Sequence, residues 1–354
     1  MRFLAGLLVL LATPALAQTV TVQEVLQNAV DAAIRPGFAT LRGDAVELEE
    51  RLSQFCDERS GAALAAARQQ FALVVADYAR VEFVRLGPLV EENRAERMLF
   101  WPDRKGIALR QVQQVLAERD ETAADEESLR QKSVALQGLG AMEFVLHGTG
   151  FEEMLTDSGD FRCRYGHAVA AAIETVASEL AEAWSTAGGI ASQIVHPSPE
   201  SPTYRSATEA LEALTGTMLY GIEAIRDQRL LAFLGRDGEE PKPKSALLWR
   251  SGPTVGAVRA NFEGIAGLFE RSRIGEATAA ENLWVDNGAK FEFANALRAA
   301  DTVTLPVEQA LADVSQRKAL DYLVIVTQSL ETLLGENLAA ALGLSAGFSS
   351  LDGD

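Results

Sequence analysis

The stretch Leu320-Asp-Tyr-Leu-Val-Ile-Val-Thr-Gln-Ser-Leu-Glu-Thr-Leu-Leu-Gly-Glu-Asn-Leu338 decides the fold class. Leu320, Leu323, Thr327, Leu330, Leu334 and Leu338 recur every three or four positions, the period of a helix face turned toward a core. Tyr322, Val324, Ile325 and Val326 make the same segment apolar on nearly every side, so it is predicted to lie centrally. Leu211, Leu214, Met218, Ile222 and Ile225 keep the same period, and Leu109, Val112 and Leu116 repeat it over a shorter span. Alanine-rich stretches at 62–67 and 168–172 add helix propensity and let helices approach closely. Strand alternation is nearly absent.

Outward from these helices, residues that interrupt helices cluster at Gly87-Pro88, Trp101-Pro102, Gly148 to Gly159, 196–203 and Gly235 to Pro243. The Pro-rich stretch 196–203 is the strongest linker signal. It divides the chain into an N-terminal helical bundle over 18–195 and a C-terminal helical bundle over 204–354, each long enough for an up-and-down arrangement of about four helices. The expected fold is all-α.

The 354 residues carry 32 Lys+Arg against 50 Asp+Glu, a net charge of −18. Nucleic-acid binding depends on basic side chains that neutralise phosphates, so no nucleic-acid partner is expected. Arg2, the apolar run Phe3 to Ala12, Pro14 and then Ala15-Leu-Ala17 form the pattern of a secretory signal peptide over 1–17, cut before Gln18. That run is shorter than the ~20 apolar residues a membrane span needs. No later segment of that length lacks charge, so the mature protein is expected in the periplasm or cell envelope with no transmembrane helix. An oxidising compartment would let Cys56 and Cys163 pair as a disulfide; the other reading is two buried free thiols. The absence of a CxxCH spacing excludes covalent c-type haem.

Among the polar residues, Glu143 has Leu136, Leu139 and Leu146 at −7, −4 and +3, which places its carboxylate on the apolar stripe of a helix. It must find a donor there, and an Arg or Tyr of another helix is expected. His147 shares the face of Glu143 and could bind a metal cation jointly with it; otherwise it is a helix-terminal histidine stabilised by the dipole before Gly148. Gly138-Leu-Gly140 begins like a dinucleotide fingerprint, but the third glycine and the preceding strand are missing. A denser constellation of Arg80, Glu82, Arg85, Asn93, Arg94, Glu96, Arg97, Trp101 and Asp103 surrounds Gly87-Pro88. Its arginines either pin a connection through ion pairs or receive an anionic ligand through bidentate bonds. Trp249-Arg250, after Pro241-Lys-Pro243, reads as a second such connection.

Several of these segments resemble the imelysin family in their order along the chain. They are Arg80-Val-Glu82 through Asn93-Arg94 and Phe100-Trp-Pro-Asp103; Leu136-Gln-Gly-Leu-Gly-Ala-Met-Glu-Phe144; Arg162-Cys-Arg-Tyr165; Glu223-Ala-Ile-Arg-Asp227; and Gly347-Phe-Ser-Ser-Leu-Asp-Gly-Asp354. The resemblance implies two up-and-down helical bundles related by an approximate internal twofold. It also implies one of two activities, since founding members are metallopeptidases with a Gly-x-His-x-x-Glu motif and others are linked to iron acquisition. On that motif this chain supplies Gly138, Gly140 and Glu143, so glycine stands where the family has its histidine. A catalytic zinc site needs about three protein ligands. The expectation is therefore an exported, non-catalytic ligand-binding or accessory protein in iron or haem uptake. Its partner would be a small ligand, iron or another divalent metal, or an envelope protein. The site would be the cleft between the bundles, lined by Glu143 and part of the Arg80 to Asp103 constellation. The alternative is a metal-dependent peptidase using Glu143 and His147. Packing around Gly140 is expected to leave limited room for an imidazole.

Overall fold

A computed structural model describes residues 20–103, 105–236 and 238–344. The signal-peptide stretch 1–17 with its cut before Gln18, and the segment Gly347 to Asp354, lie outside the described residues. Every regular element among the described residues is helical. In the first half these are α1 (Val22–Asn28), α2 (Arg35–Glu58), α3 (Gly61–Val81), α4 (Arg94–Met98), α5 (Ile107–Glu118), α6 (Glu126–Arg130), α7 (Gly138–His147), α8 (Asp160–Ser185) and α9 (Ile190–Val195). After the Pro-rich stretch follow α10 (Ala207–Ala224), α11 (Leu231–Leu234), α12 (Thr254–Ser272), α13 (Leu283–Thr302), α14 (Val307–Ala312), α15 (Val314–Glu331) and α16 (Ala339–Ala341).

Local chemistry sets the starts of these helices. Thr21 and Glu24 form a reciprocal capping box on α1, Ser60 caps α3, Ser206 caps α10, and Asp313 accepts from two main-chain N–H groups of α15. Between α1 and α2 the chain stays helical but widens into a π-turn, Ala29–Ile34, just before Pro36. Proline has no N–H for an interior helical bond, and the widened turn accommodates that break without ending the helix.

Two helical layers result. In one, α2 packs on α3 and α8, and α8 carries α7. In the other, α13 packs on α15 and α12, with α10 against α12 and α15. Contact between α3 and α12 joins the layers, and one continuous apolar core runs through both. Phe38 stacks on Trp184 at 5.9 Å in the first layer, while Phe269 meets Phe293 at 6.0 Å in the second. Residues 22–34 cross between layers: α1 and its π-turn lie on α12, and α1 also touches α9 and α10.

Two findings refine the sequence reading. The helix through Leu320 and Leu330 is not enclosed, for Ile325 is 59% exposed and Tyr322 40% exposed. Its leucine face is buried as the period requires, with Val326 also buried and Val324 half-buried, while Tyr322 and Ile325 point to solvent. Cys56, in the last turn of α2, and Cys163, in the first turn of α8, form a disulfide with Cα atoms 5.7 Å apart. No helix among the described residues is long and apolar enough to cross a membrane.

Candidate functional site

Helix α7 carries the Gly138-Leu-Gly140-Ala-Met-Glu143 segment, and its neighbours fix both of its ends. Gly138 has φ +70°, and a Cβ there would lie 2.4 Å from the carbonyl oxygens of Arg97 and Met98. Only glycine permits that backbone approach. At the other end, Arg162 of α8 donates to the carbonyl oxygens of Phe144 (2.6 Å), Val145 (3.1 Å), Gly148 (3.1 Å) and Thr149 (2.9 Å). Arg68 of α3 adds two bonds to Leu146 O, at 3.0 and 2.6 Å. Val145 O and Leu146 O are among the carbonyls a helix leaves unpaired at its C-terminus, and Phe144 O also accepts from Gly148 N. Burial lowers the Arg162 guanidinium to about 10, so it stays cationic at neutral pH. Tyr165 completes the frame by donating from its hydroxyl to Leu136 O at 2.8 Å. The Arg162 to Tyr165 segment is thus the clamp that orients α7.

Glu143, 4% exposed, turns toward the segment that precedes α12. Its Oε1 accepts from the main-chain N–H groups of Arg250 (2.9 Å) and Ser251 (3.0 Å) and from Ser251 Oγ (3.0 Å). Arg250 Nη1 stands 3.5 Å from Oε2. Burial pushes the carboxyl up, against the opposing pull of the Ser251 and Arg250 donors. The donors come from a turn, in place of the second helix expected from the sequence, because a turn can offer two consecutive N–H groups that a helix keeps internal.

His147 does not join Glu143. Its ring packs 6.3 Å from Phe71, its Nε2 is buried without a protein partner, and no hydrogen bond or ion pair links it to the carboxylate. Burial and the nearby Arg68 charge lower its imidazole to about 4, so it is neutral at pH 7. Among the described residues no three His, Cys, Asp or Glu side chains come together in a way that could hold a metal ion. With Glu143 engaged by the 250–251 turn and glycine at 140, the donor set does not fit a catalytic metal.

Beside Glu143 and Gly140 opens a cavity of about 940 Å³. Its walls come from the 99–103 connection, α5, α7, Asp227 and Gln228, the start of α11 and the 236–250 connection, so both halves of the chain contribute. Trp101, Phe144, Leu231 and Trp249 supply broad apolar surface. Lys244 Nζ lies 5.4 Å from the Trp249 ring centre and Arg250 4.6 Å from the same ring, which ties two cations to one indole. The lining carboxylates already have partners. Asp103 accepts from Ile107 N (2.6 Å) and Ala108 N (3.0 Å) at the start of α5, Asp227 lies 3.6 Å from Arg236, and Glu239 lies 3.4 Å from Lys242. Lys244 has no carboxylate partner among the described residues. A Cβ built on Gly140 meets nothing within 4 Å. The expected lack of room at that position is therefore wrong: Gly140 faces the cavity, not the packed side of α7.

The Arg80 to Asp103 constellation disperses. Arg94 and Arg97 both reach Glu179 of α8, with contacts of 2.9 to 3.2 Å, and pin the connection to the first layer. Asn93 takes a left-handed conformation ahead of α4 and makes no capping bond. Glu82 pairs with Arg229 at 2.7 Å, and the Arg85 guanidinium lies 5.2 Å over the Tyr220 ring. Of the sequence-stated candidates, only Trp101, Asp103, Gly140 and Glu143 line the cavity. Lys244, Trp249 and Arg250 line it too; the sequence signal for them was a Pro-rich connection ending in Trp-Arg, which carries no direction.

The imelysin family model matches residues 34–335. An imelysin-like protein from Psychrobacter arcticum 273-4 shares the fold, with a TM-score of 0.76 and 19% identity over 93% of this chain and 98% of that one. A protein from Parabacteroides distasonis ATCC 8503, named as an iron-regulated protein A precursor, also shares it, with a TM-score of 0.73 and 14% identity over 90% of this chain and 95% of that one. No curated protein matches the sequence. The family match takes in α7, its clamp on α8 and nearly the whole of both layers, and so the chain belongs to the imelysin family.

Proposed function

We propose that this protein is an exported binding protein of the cell envelope, serving iron or haem uptake by holding an organic ligand in the cavity beside Glu143, without peptidase chemistry. The observation that carries the reading is the pairing of broad aromatic walls with Lys244 and Arg250 in one cavity. Flat apolar surface with cations held over it suits a planar ligand bearing carboxylates, as haem and aromatic iron chelates do. The family resemblance and the iron-regulated name of one structural neighbour support the iron assignment. Glu143 here organises the cavity wall through the 250–251 turn, and is not a metal ligand.

Native mass spectrometry of the protein purified from the periplasm, followed by absorbance titration with haem, tests the proposal. A carried or titrated ligand in one-to-one ratio is expected, with affinity falling about tenfold in Lys244→Gln, the loss of one charged contact. Chelator-sensitive peptide cleavage that disappears in Glu143→Ala would overturn it.

A further inference from the structure

Behind Trp101 and Leu99, which it shares with the large cavity, lies a second chamber of about 80 Å³. Arg229, in the π-turn Ile225–Leu230, and Asn261 of α12 form its polar side. Arg229 is 6% exposed and Asn261 is 4% exposed. Arg229 Nη2 donates to Glu82 Oε2 at 2.7 Å, while its Nε and Nη1 have no protein acceptor. Asn261 Nδ2 donates to Ala79 O and to Glu82 Oε1, both at 2.7 Å, which fixes the orientation of the amide and leaves Oδ1 without a protein donor. Arg85, over the ring of Tyr220, lines the same chamber and forms no ion pair among the described residues.

Buried polar groups are normally satisfied, and each unmet one is costly. This chamber offers an unusual combination: two unmet donors on a buried guanidinium, a second guanidinium, and one unmet acceptor. An oxyanion answers the guanidinium groups, and a hydroxyl on the same molecule answers Asn261 Oδ1. Phe83, Leu99 and Ile265 line the remaining wall, which suits a short carbon skeleton better than an inorganic oxyanion. Glu82 offsets one cation and the exposed Glu96 stands at the edge, so the chamber favours a single negative charge.

We propose that the chamber binds a small 2-hydroxy-monocarboxylate, with its carboxylate on Arg229 and Arg85 and its hydroxyl donating to Asn261 Oδ1. The site is distinct from the large cavity and stands whether or not that cavity holds haem.

Calorimetric titration of the mature protein with lactate, propionate and inorganic phosphate tests this. Lactate is expected to bind about tenfold or more tightly than propionate, since a site built to bond a hydroxyl rejects the analogue that lacks it. Arg85→Gln should weaken lactate about tenfold while leaving the melting curve in place, and Arg229→Lys should weaken it further. If Arg229→Lys fails to fold, Arg85→Gln decides alone. Absence of lactate binding would mean a chamber filled by water only and would overturn the proposal. Equal affinity for lactate and propionate, tighter binding of phosphate than of lactate, or unchanged lactate affinity in the arginine variants would overturn it as well.

Discussion

Glu143 accepts from two consecutive main-chain N–H groups and a hydroxyl, so its role is read best by what its loss would strand. Glu143→Ala leaves those N–H groups without their acceptor and should cost about 3 kcal/mol in denaturant unfolding. Glu143→Gln keeps an acceptor oxygen and should cost about 1 kcal/mol or less, a contrast that separates hydrogen bonding from charge. Gly140→His should raise Zn²⁺ affinity in calorimetric titration, because the position is open and an imidazole there stands three residues before Glu143. An unchanged affinity would mean that Glu143 cannot be drawn away from the 250–251 turn. At this scale Leu139 and Leu146 told that Glu143 is buried, since burial follows from local period; Leu136, expected on the same stripe, lies in a separate turn because the helix starts only at Gly138. Its partners were not legible: they lie in a turn 107 positions away, and nothing local encodes that meeting.

At the scale of elements, α7 tests whether its two glycines have different duties. Gly138→Ala forces a Cβ into two carbonyl oxygens at a positive φ and should destabilise by about 2 kcal/mol or more. Gly140→Ala meets open space within a helix and should be neutral or stabilising by about 0.5–1 kcal/mol. Thermal melts of the two variants side by side check both signs. Helix existence was legible because it depends on neighbours in sequence, as the Leu211 to Ile225 face shows. The fate of the Arg80 to Asp103 segment was not, because long arginines choose partners on other helices; Arg94 and Arg97 end on Glu179, and none of the three lines the cavity. Tyr322 and Ile325 misled for the opposite reason: an apolar side chain is permitted at the surface, so composition alone cannot enclose a helix.

Across the whole molecule, buried Asp77 and half-buried His147 pull stability in opposite directions with pH. Burial lowers His147 to about 4, so the unfolded chain takes up a proton that the folded chain refuses, and stability is lost as pH falls from about 6.5 toward 4. Because the ring is only partly buried, this amounts to about 1 kcal/mol. Asp77 is pushed up to about 7 by burial and by neighbouring Asp44, so its contribution is present below the ordinary carboxylate range and is lost as pH rises toward 7. Asp77→Asn should therefore gain melting temperature relative to the parent at pH 8 and not at pH 4, measured by paired melts. The Cys56–Cys163 bridge closes a separation of 107 residues across α2 and α8, and its removal by paired serine substitution should cost about 2–4 kcal/mol.

The crossing of residues 22–34 onto α12 and α10 carries a further consequence, for the order in which the protein can be made. Ribosomes deliver α1 first, yet α1 and its π-turn gain their contacts with α12 only after Thr254–Ser272 has emerged. A chain truncated after residue 203 would keep α9 against α1 but leave the sides that meet α10 and α12 bare, and is expected to be cleaved by protease at the α1–α2 junction while the full chain resists. The molecule's opening helix is thereby also the last to find its place, and synthesis must be nearly complete before the native state is within reach.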